Sequence, residues 1–424
     1  MVRKVLIVAL SCWLVAPFCQ GYSFLTHETL IDMAWDSSIK PLLLARYPNA
    51  TPIELRDARA YAYGGSTIQD VGYYPFGHPF FSDLTHYVRS GDFITNLIHE
   101  SQNINELAFS LGALSHYVGD TIGHRYAINI SVPEEFKDLQ SKYGSVVTYE
   151  QAPSAHIRTE FAFDVDQLGH ARFAPSGYFR HVGFKVPVPL VSRAFYDTYG
   201  ITLQTVIGHE SRAFFTYEWS VRTLLPRVGY AEVLLHRKSF PVDEDNPDFQ
   251  QYADRLKATN TAAHWDLYRK KKPSFLTRVF AVIIFITPKV GPFADLSIRG
   301  PMPDTEQNYV SSVNRATAEY AQLLDQLRNI GKNQFEVPDL DLDTGFATKP
   351  GTYRLTDQTY ATLISRVTAN TAKPPAGLRQ NIIAFYADPN APISTKKNPR
   401  QWKKVQDALA VLSQSPTQHI PNAK

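Results

Sequence analysis

The stretch Leu111–His124, LGALSHYVGDTIGH, decides how the rest of the chain is read. Written as a helix, it places His116, Asp120 and His124 four residues apart, so their side chains stack along one face. Two imidazoles and a carboxylate in one stripe are nitrogen and oxygen donors of the kind that hold zinc. The same stretch carries Gly112, Gly119 and Gly123 together with Ser115. Each interior glycine costs about 1 kcal/mol relative to alanine, so a helix that keeps three of them is expected to lie very close to its neighbours in a bundle. A polar stripe buried there is costly unless something binds it. The bland alternative, three satisfied polar side chains on a surface face, stays open for this segment taken alone.

At 424 residues the chain can bury a large core in one domain or two, and its 28 prolines imply many ordered loops. A basic start, Met1–Lys4, precedes the apolar run Val5–Phe18 and then Cys19-Gln20-Gly21, which puts small residues at −3 and −1 of a cut before Tyr22. Residues 1–21 read as a secretory signal peptide, too short for a membrane span, so the expected destination is the periplasm or the exterior. Without that leader the chain has 41 basic and 40 acidic residues. Such a balance gives no reason to expect a stable nucleic-acid partner. Both cysteines, Cys12 and Cys19, lie in the leader, so the mature chain is expected to have no disulfide. Acylation of either is the lesser alternative, since neither follows a good lipobox.

Outward from the central stretch the pattern is helical. Tyr22–His27 leads into an apolar-periodic helix through Ile31 and Trp35. Thr51-Pro52-Ile53-Glu54 is a capping box, with a helix expected to reach Gly64-Gly65. Asp70–His86, DVGYYPFGHPFFSDLTH, is aromatic, broken by Pro75, Gly77 and Pro79, and expected to be an irregular loop. Asn103 opens the central helix, and Ser131-Val-Pro-Glu134 reads as a further capping box before Gly144. His156 and Glu160 share one face of the next helix. Val186–Val191 reads as extended because of Pro187 and Pro189. Helical patterns return over 192–224, and over 304–327 with Asp304 and Gln307 as caps and Val313, Tyr320, Leu324 and Leu327 along one face. Shorter helices are expected near 356–368, 377–386 and 401–412. The chain therefore reads as all-α, with a boundary between about Arg237 and Pro273 that separates 22–236 from a mostly helical region, 237–424, of unknown role.

The candidate chemistry gathers in order: His27, Asp70, His86, His116, Asp120, His124, then the pair His156 and Glu160, with a free amino group near Tyr22 after cleavage. One metal needs only three or four ligands. Eight or nine such groups imply a cluster of metals, an arrangement used to split phosphate esters.

In these residues the sequence resembles the zinc-dependent phospholipase C group, which is related to single-strand nucleases of the P1 type. It is closer still to the phospholipase C/D domain at the N-terminus of glycosylphosphatidylinositol phospholipase D. The likeness is carried by the mature start with a histidine five positions on, the Asp70 loop, Asp83-Leu-Thr-His86, the central stretch, and His156-x-x-x-Glu160. The resemblance implies a phospholipase C/P1 nuclease-like helical bundle with up to three zinc ions. Asp70, His86, His116 and Asp120 would hold the first, and His124, His156 and Glu160 the second. Asp120 as a bridge, His27 and the main-chain amino and carbonyl groups of Tyr22 would hold the third. The family more often begins its mature chain with tryptophan. The short Asp120–His124 spacing follows the phospholipase D-like branch. A water held between divalent cations gives up its proton near neutral pH, and Asp70 is the candidate catalytic residue to orient or deprotonate it, beside its role as ligand.

The resulting expectation is a secreted zinc-dependent phosphodiesterase acting on a phospholipid or another phosphodiester. The alternatives are a single-strand nuclease and, from a different class, a non-catalytic binding protein stabilised by metal. No protein partner is inferred. A peripheral membrane contact is suggested only by Val279–Ile286, VFAVIIFI, which follows Lys270–Lys272 and otherwise reads as buried core. His78 is the substitute for His86 as ligand, while His99, His170, His181, His209, His236, His264 and His419 lack a partnered spacing. Tyr73, Tyr74, Phe76, Phe80 and Phe81 either shape a substrate cleft or pack beneath it. Asp339, Asp341 and Asp343 before Gly345 read as a solvated acidic turn. A calcium loop is the lesser reading there, because the glycine comes one place late and no glutamate stands at the twelfth position.

Overall fold

The computed structural model describes residues 22–236, 246–269, 299–370 and 374–414, with the isolated positions 275, 278–279 and 281–282. The leader, with its signal-peptide and acylation readings, lies outside the described residues, as does most of Val279–Ile286.

Among the described residues the regular structure is all-α apart from one two-residue ladder. Helix α1, Phe24–Ala34, widens into a π-helical turn, Trp35–Ile39. Helix α2, Pro52–Gly65, starts from the expected capping box: the Thr51 hydroxyl accepts from Glu54 N at 3.3 Å, and Glu54 Oε2 accepts from Thr51 N at 2.8 Å. Helix α3 spans Pro79–Tyr87. The central stretch is helix α4, Ile104–Gly123, capped by Asn103 Oδ1, which accepts from the amides of Asn105 and Glu106. It packs against α2 with backbones nearly touching. A Cβ on Gly112 would stand 2.1 Å from the Ala62 carbonyl oxygen, and one on Gly65 would stand 2.0 Å from that of Phe109. Close approach to α2 thus explains Gly112. At His124–Ile128 the helix widens into a second π-helical turn.

Four local expectations need correction. The loop 70–86 is not irregular throughout: Ile68–Tyr73 is 3-10 helix, and Pro79 starts α3, where a missing N–H costs nothing. Ser131–Glu134 is not a capping box, because it lies inside the helix Asn129–Glu135 that continues from the π-turn. Pro133 is tolerated there since the carbonyl it cannot serve, that of Asn129, accepts from Val147 N at 2.9 Å. Helix α5 spans Pro153–Gly169, and Val186–Val191 is only partly extended because helix α6, Val188–Tyr199, already begins within it, with Pro189 in its first turn. Helix α7, Pro303–Ile330, has no side-chain cap of its own. Glu135 supplies one from outside, accepting from Met302 N at 2.8 Å and from Thr305 Oγ1 at 2.6 Å.

Helix α7 lies against α1 and α4. Its buried face holds Val313, Tyr320, Leu324 and Leu327, as the periodicity predicts, and Tyr320 Oη donates to the Leu111 carbonyl at 2.8 Å. Among the described residues one large hydrophobic cluster joins both halves of the chain, from Tyr22 to Leu412, beside a small one around Leu224 and Val228. Beyond α7 the chain forms a small hairpin, β1 (Leu340–Asp341) with β2 (Phe346–Ala347), and then helix α8, Arg354–Ala369. No helix among the described residues is long and apolar enough to cross a membrane.

Candidate metal centre

Five elements converge on one buried volume. Helix α1 brings His27, the 3-10 segment brings Asp70, α3 brings His86, α4 with its π-turn brings His116, Asp120 and His124, and α5 brings His156 and Glu160. None of these eight side chains is more than 3 % exposed. Within each of three groups the donor atoms lie within 4.8 Å of one another: Asp70 with His86 and His116, His27 with His116 and Asp120, and His124 with His156 and Glu160.

The first two groups interleave. His86 Nε2 is 3.4 Å from Asp70 Oδ1, 3.3 Å from Asp120 Oδ2 and 3.5 Å from His116 Nε2. His116 Nε2 is 3.1 Å from Asp120 Oδ2, and His27 Nε2 is 3.2 Å from Asp120 Oδ1. Asp120 therefore spans the two groups, one oxygen toward each. The His27 ring stacks on His116 at 4.3 Å between centroids, over Gly119, where a Cβ would stand 3.1 Å from the imidazole. In the third group His124 Nε2 is 3.8 Å and His156 Nδ1 is 3.9 Å from Glu160 Oε1.

Four of the five imidazoles share one device. One ring nitrogen meets a backbone carbonyl: His86 Nδ1 with Ser82 at 2.8 Å, His116 Nδ1 with Ser66 at 3.1 Å, His124 Nδ1 with Leu342 at 3.0 Å and His156 Nε2 with Val147 at 2.7 Å. That contact fixes the tautomer and turns the other nitrogen's lone pair into the cluster.

Charge in the site is set by burial against proximity. Burial lowers the pKa of His86, but the nearby Asp120 and Asp70 carboxylates outweigh it and raise the ring well above its usual range. Burial likewise raises Asp120, yet His116, His27 and His86 hold it well below the usual carboxylate value. His27 is lowered by burial and by His116. His156, lowered by burial and by His124 to about 3, is neutral.

These residues fit zinc. Both Asp70 oxygens, both His27 nitrogens, His124 Nε2 and His156 Nδ1 are buried without a hydrogen bond, which is costly unless a cation meets them. Donors about 2.0–2.2 Å from a tetrahedral zinc sit about 3.3–3.6 Å apart, close to the separations above.

Tyr22 is buried at the edge of this volume. Its hydroxyl donates to Ser312 Oγ at 2.7 Å, and its ring meets that of His27 edge-on at 5.9 Å. His78 sits elsewhere, at the start of α3, where its Nδ1 accepts from Phe80 N. The aromatic loop divides: Phe81 stacks on Phe195 in the core, whereas Phe76 is about half exposed. The solvated acidic turn is corrected outright. Asp341 and Asp343 are buried, their carboxylates met by Thr356, Tyr87 and Tyr353, and Asp343 Oδ1 stands 3.9 Å from His124 Nε2. The alternation Leu340-Asp341-Leu342-Asp343 ahead of Thr344-Gly345 was the available sign of a hairpin.

No curated protein and no solved structure matches the chain. The segment that supplies all eight converging side chains, residues 26–208, does match a family model, and that family is zinc dependent phospholipase C.

Proposed function

We propose that the chain is an exported zinc-dependent phosphodiesterase that hydrolyses phospholipid-type phosphate esters. One observation carries the reading: three buried donor groups form, two of them sharing His116 and linked again by Asp120 Oδ2, which stands 3.3 Å from His86 Nε2. The family matched by residues 26–208, named for a zinc-dependent phospholipase C, supports the same class of chemistry. Asp70, His86, His116 and Asp120 would hold one zinc, and His124, His156 and Glu160 another. Asp120 and His27 would serve a third with the main-chain groups of Tyr22. Bound there, zinc supplies Lewis-acid polarisation of phosphoryl oxygens and lowers the pKa of water.

The chain's own residues do the rest. Carbonyls of Ser66, Ser82, Val147 and Leu342 lock the imidazoles so that no reorientation accompanies the reaction. Asp70, 3.4 Å from His86 Nε2, would orient a water and take its proton. Peripheral contact with a lipid surface would bring the substrate to this buried site.

A second reading, a metal cluster that only braces the fold, draws on the enclosure of the donors, none more than 3 % exposed. Elemental analysis of the purified chain, with turnover of phospholipid, glycosylated lipid and oligonucleotide substrates before and after mild chelation, separates the two. Bound zinc with chelation-sensitive hydrolysis of a lipid ester is the expected result. Zinc without turnover of any substrate overturns the proposal in favour of the brace, and oligonucleotide cleavage alone assigns a nuclease.

A further inference from the structure

Asp343 lies 135 positions beyond the end of the matched segment, yet the hairpin that carries it is built onto the central helix. Tyr117 Oη donates to the Pro338 carbonyl at 2.7 Å, Leu342 N to that of His86 at 3.1 Å, and Asn129 Nδ2 to that of Asp343 at 2.8 Å. Gly345, at φ +68°, lies so close to α4 that a Cβ would stand 2.4 Å from the Thr121 carbonyl oxygen. The Arg125 guanidinium covers the Phe346 ring at 4.2 Å. The hairpin is thus fixed from several sides.

Within it the three aspartates are treated differently. Asp339 Oδ1 accepts from Asp92 N at 3.0 Å, and Asp341 accepts from Thr356 Oγ1 at 2.7 Å and Thr344 N at 3.1 Å. Asp343 Oδ2 takes two donors, Tyr353 Oη at 2.6 Å and Tyr87 Oη at 2.9 Å, whereas Oδ1 is fully buried and has no hydrogen-bond partner. What Oδ1 faces is His124 Nε2, at 3.9 Å, which has no hydrogen-bond partner either. His124 Nδ1 carries its proton toward the Leu342 carbonyl, so Nε2 presents a lone pair. Two electron-rich atoms facing each other in a dry interior repel unless a cation lies between them.

We infer that Asp343 is a direct metal ligand, through Oδ1, that completes the His124, His156 and Glu160 group as a fourth donor. The second half of the chain is then part of the metal centre. Tyr87 and Tyr353 are positioning residues: two donors on one carboxylate oxygen aim the other inward. Leu342 and Asp343, adjacent in sequence, serve the same ion at two levels, the carbonyl orienting His124 and the carboxylate binding beside it. The inference rests on the metal-centre reading above.

The test is metal binding by the full chain. Zinc content after gel filtration, zinc affinity against a chromophoric chelator, and the visible spectrum with cobalt are compared for wild type and Asp343→Asn. Asparagine keeps the shape and a carbonyl oxygen for the tyrosines. The variant is expected to lose one equivalent of metal, or to hold that equivalent at least about tenfold more weakly, with a changed cobalt spectrum. Unchanged stoichiometry, affinity and spectrum in a folded variant overturn this inference alone. A wild type that binds no zinc overturns the metal-centre reading beneath it. A zinc-loaded wild-type crystal decides the matter even if the variant fails to fold. Anomalous density about 2.0–2.2 Å from Asp343 Oδ1 supports the assignment, and an ion in the His124 group that leaves this oxygen beyond 3 Å refutes it.

Discussion

The two ends of the central stripe solve the same problem differently. Around His116 and Asp120, four imidazole–carboxylate contacts fall at 3.1–3.4 Å, with His116 to Asp70 longer at 3.9 Å, so opposite partial charges already offset part of one another's burial. Around His124 the spacings open to 3.8–3.9 Å, and the ring nitrogens turned inward are lone pairs facing carboxylates. The first end is compensated in part by its own members; the second depends more fully on what fills it. The π-turn separates them. Asp120 lies in regular helix and His124 begins the wider turn, so a uniform four-residue spacing serves two separate groups.

The most severe way to break the comparison is Asp120→Ala. It removes the one side chain that faces His27, His86 and His116 together, and hydrolysis of a p-nitrophenyl phosphodiester should fall by a factor of about a thousand or more, as for other residues that act as a unit. Full activity in that variant would remove the mechanism. Metal removal comes next. Occupancy at about a thousand times the dissociation constant adds about 4 kcal/mol to stability, so exhaustive chelation of wild type should lower the melting temperature by about 5 °C. The loss should show first at the weakly self-compensated end, as faster amide exchange along 340–348 and 124–130 than along 104–120. Uniform exchange across both stretches would erase the distinction between the two ends.

A third buried acidic group sharpens the contrast because it uses arginine instead. Glu306 accepts from Arg172 Nη1 at 3.2 Å, and burial, reinforced by the Asp166 charge, raises its pKa to about 7. A raised carboxyl binds its proton more tightly in the fold than in the unfolded chain, so its contribution is complete below about pH 4.5 and is lost as pH rises through about 7. Glu306→Gln stays neutral and should melt about 2 °C higher than wild type above pH 7, with the advantage gone at about pH 4. Thermal scans at the two pH values check the sign, and chelator should leave the difference unchanged.

Much of this was legible in the order of residues, for reasons that differ by element. The Thr51 and Asn103 caps and the apolar face of α7 are local signals, and local signals survive folding. The α4 stripe was legible from its four-residue spacing, whereas the grouping of His27, Asp70 and His86 with it came from the resemblance to the zinc-dependent phospholipases, since no local spacing links those three. What escaped depends on contacts between distant segments. Pro133 sits inside a helix because Val147 serves the carbonyl it leaves open, and α7 is capped by Glu135 from across the fold. The acidic hairpin looked solvated because aspartates usually are. Only the tertiary placement of Tyr87, Tyr353 and Thr356 makes its burial tolerable.

The widened turn at His124–Ile128 acts as a vernier between the two halves of the molecule. A π-turn accommodates one residue more than the regular spiral, and one residue of helix is worth about 100° of rotation. Shortening the turn by a single amino acid would swing Asn129 off the carbonyl of Asp343 and unseat the C-terminal hairpin, although every histidine would still be present in the sequence. The length of the turn, together with His124 and Arg125 within it, is what lets the two halves meet in register.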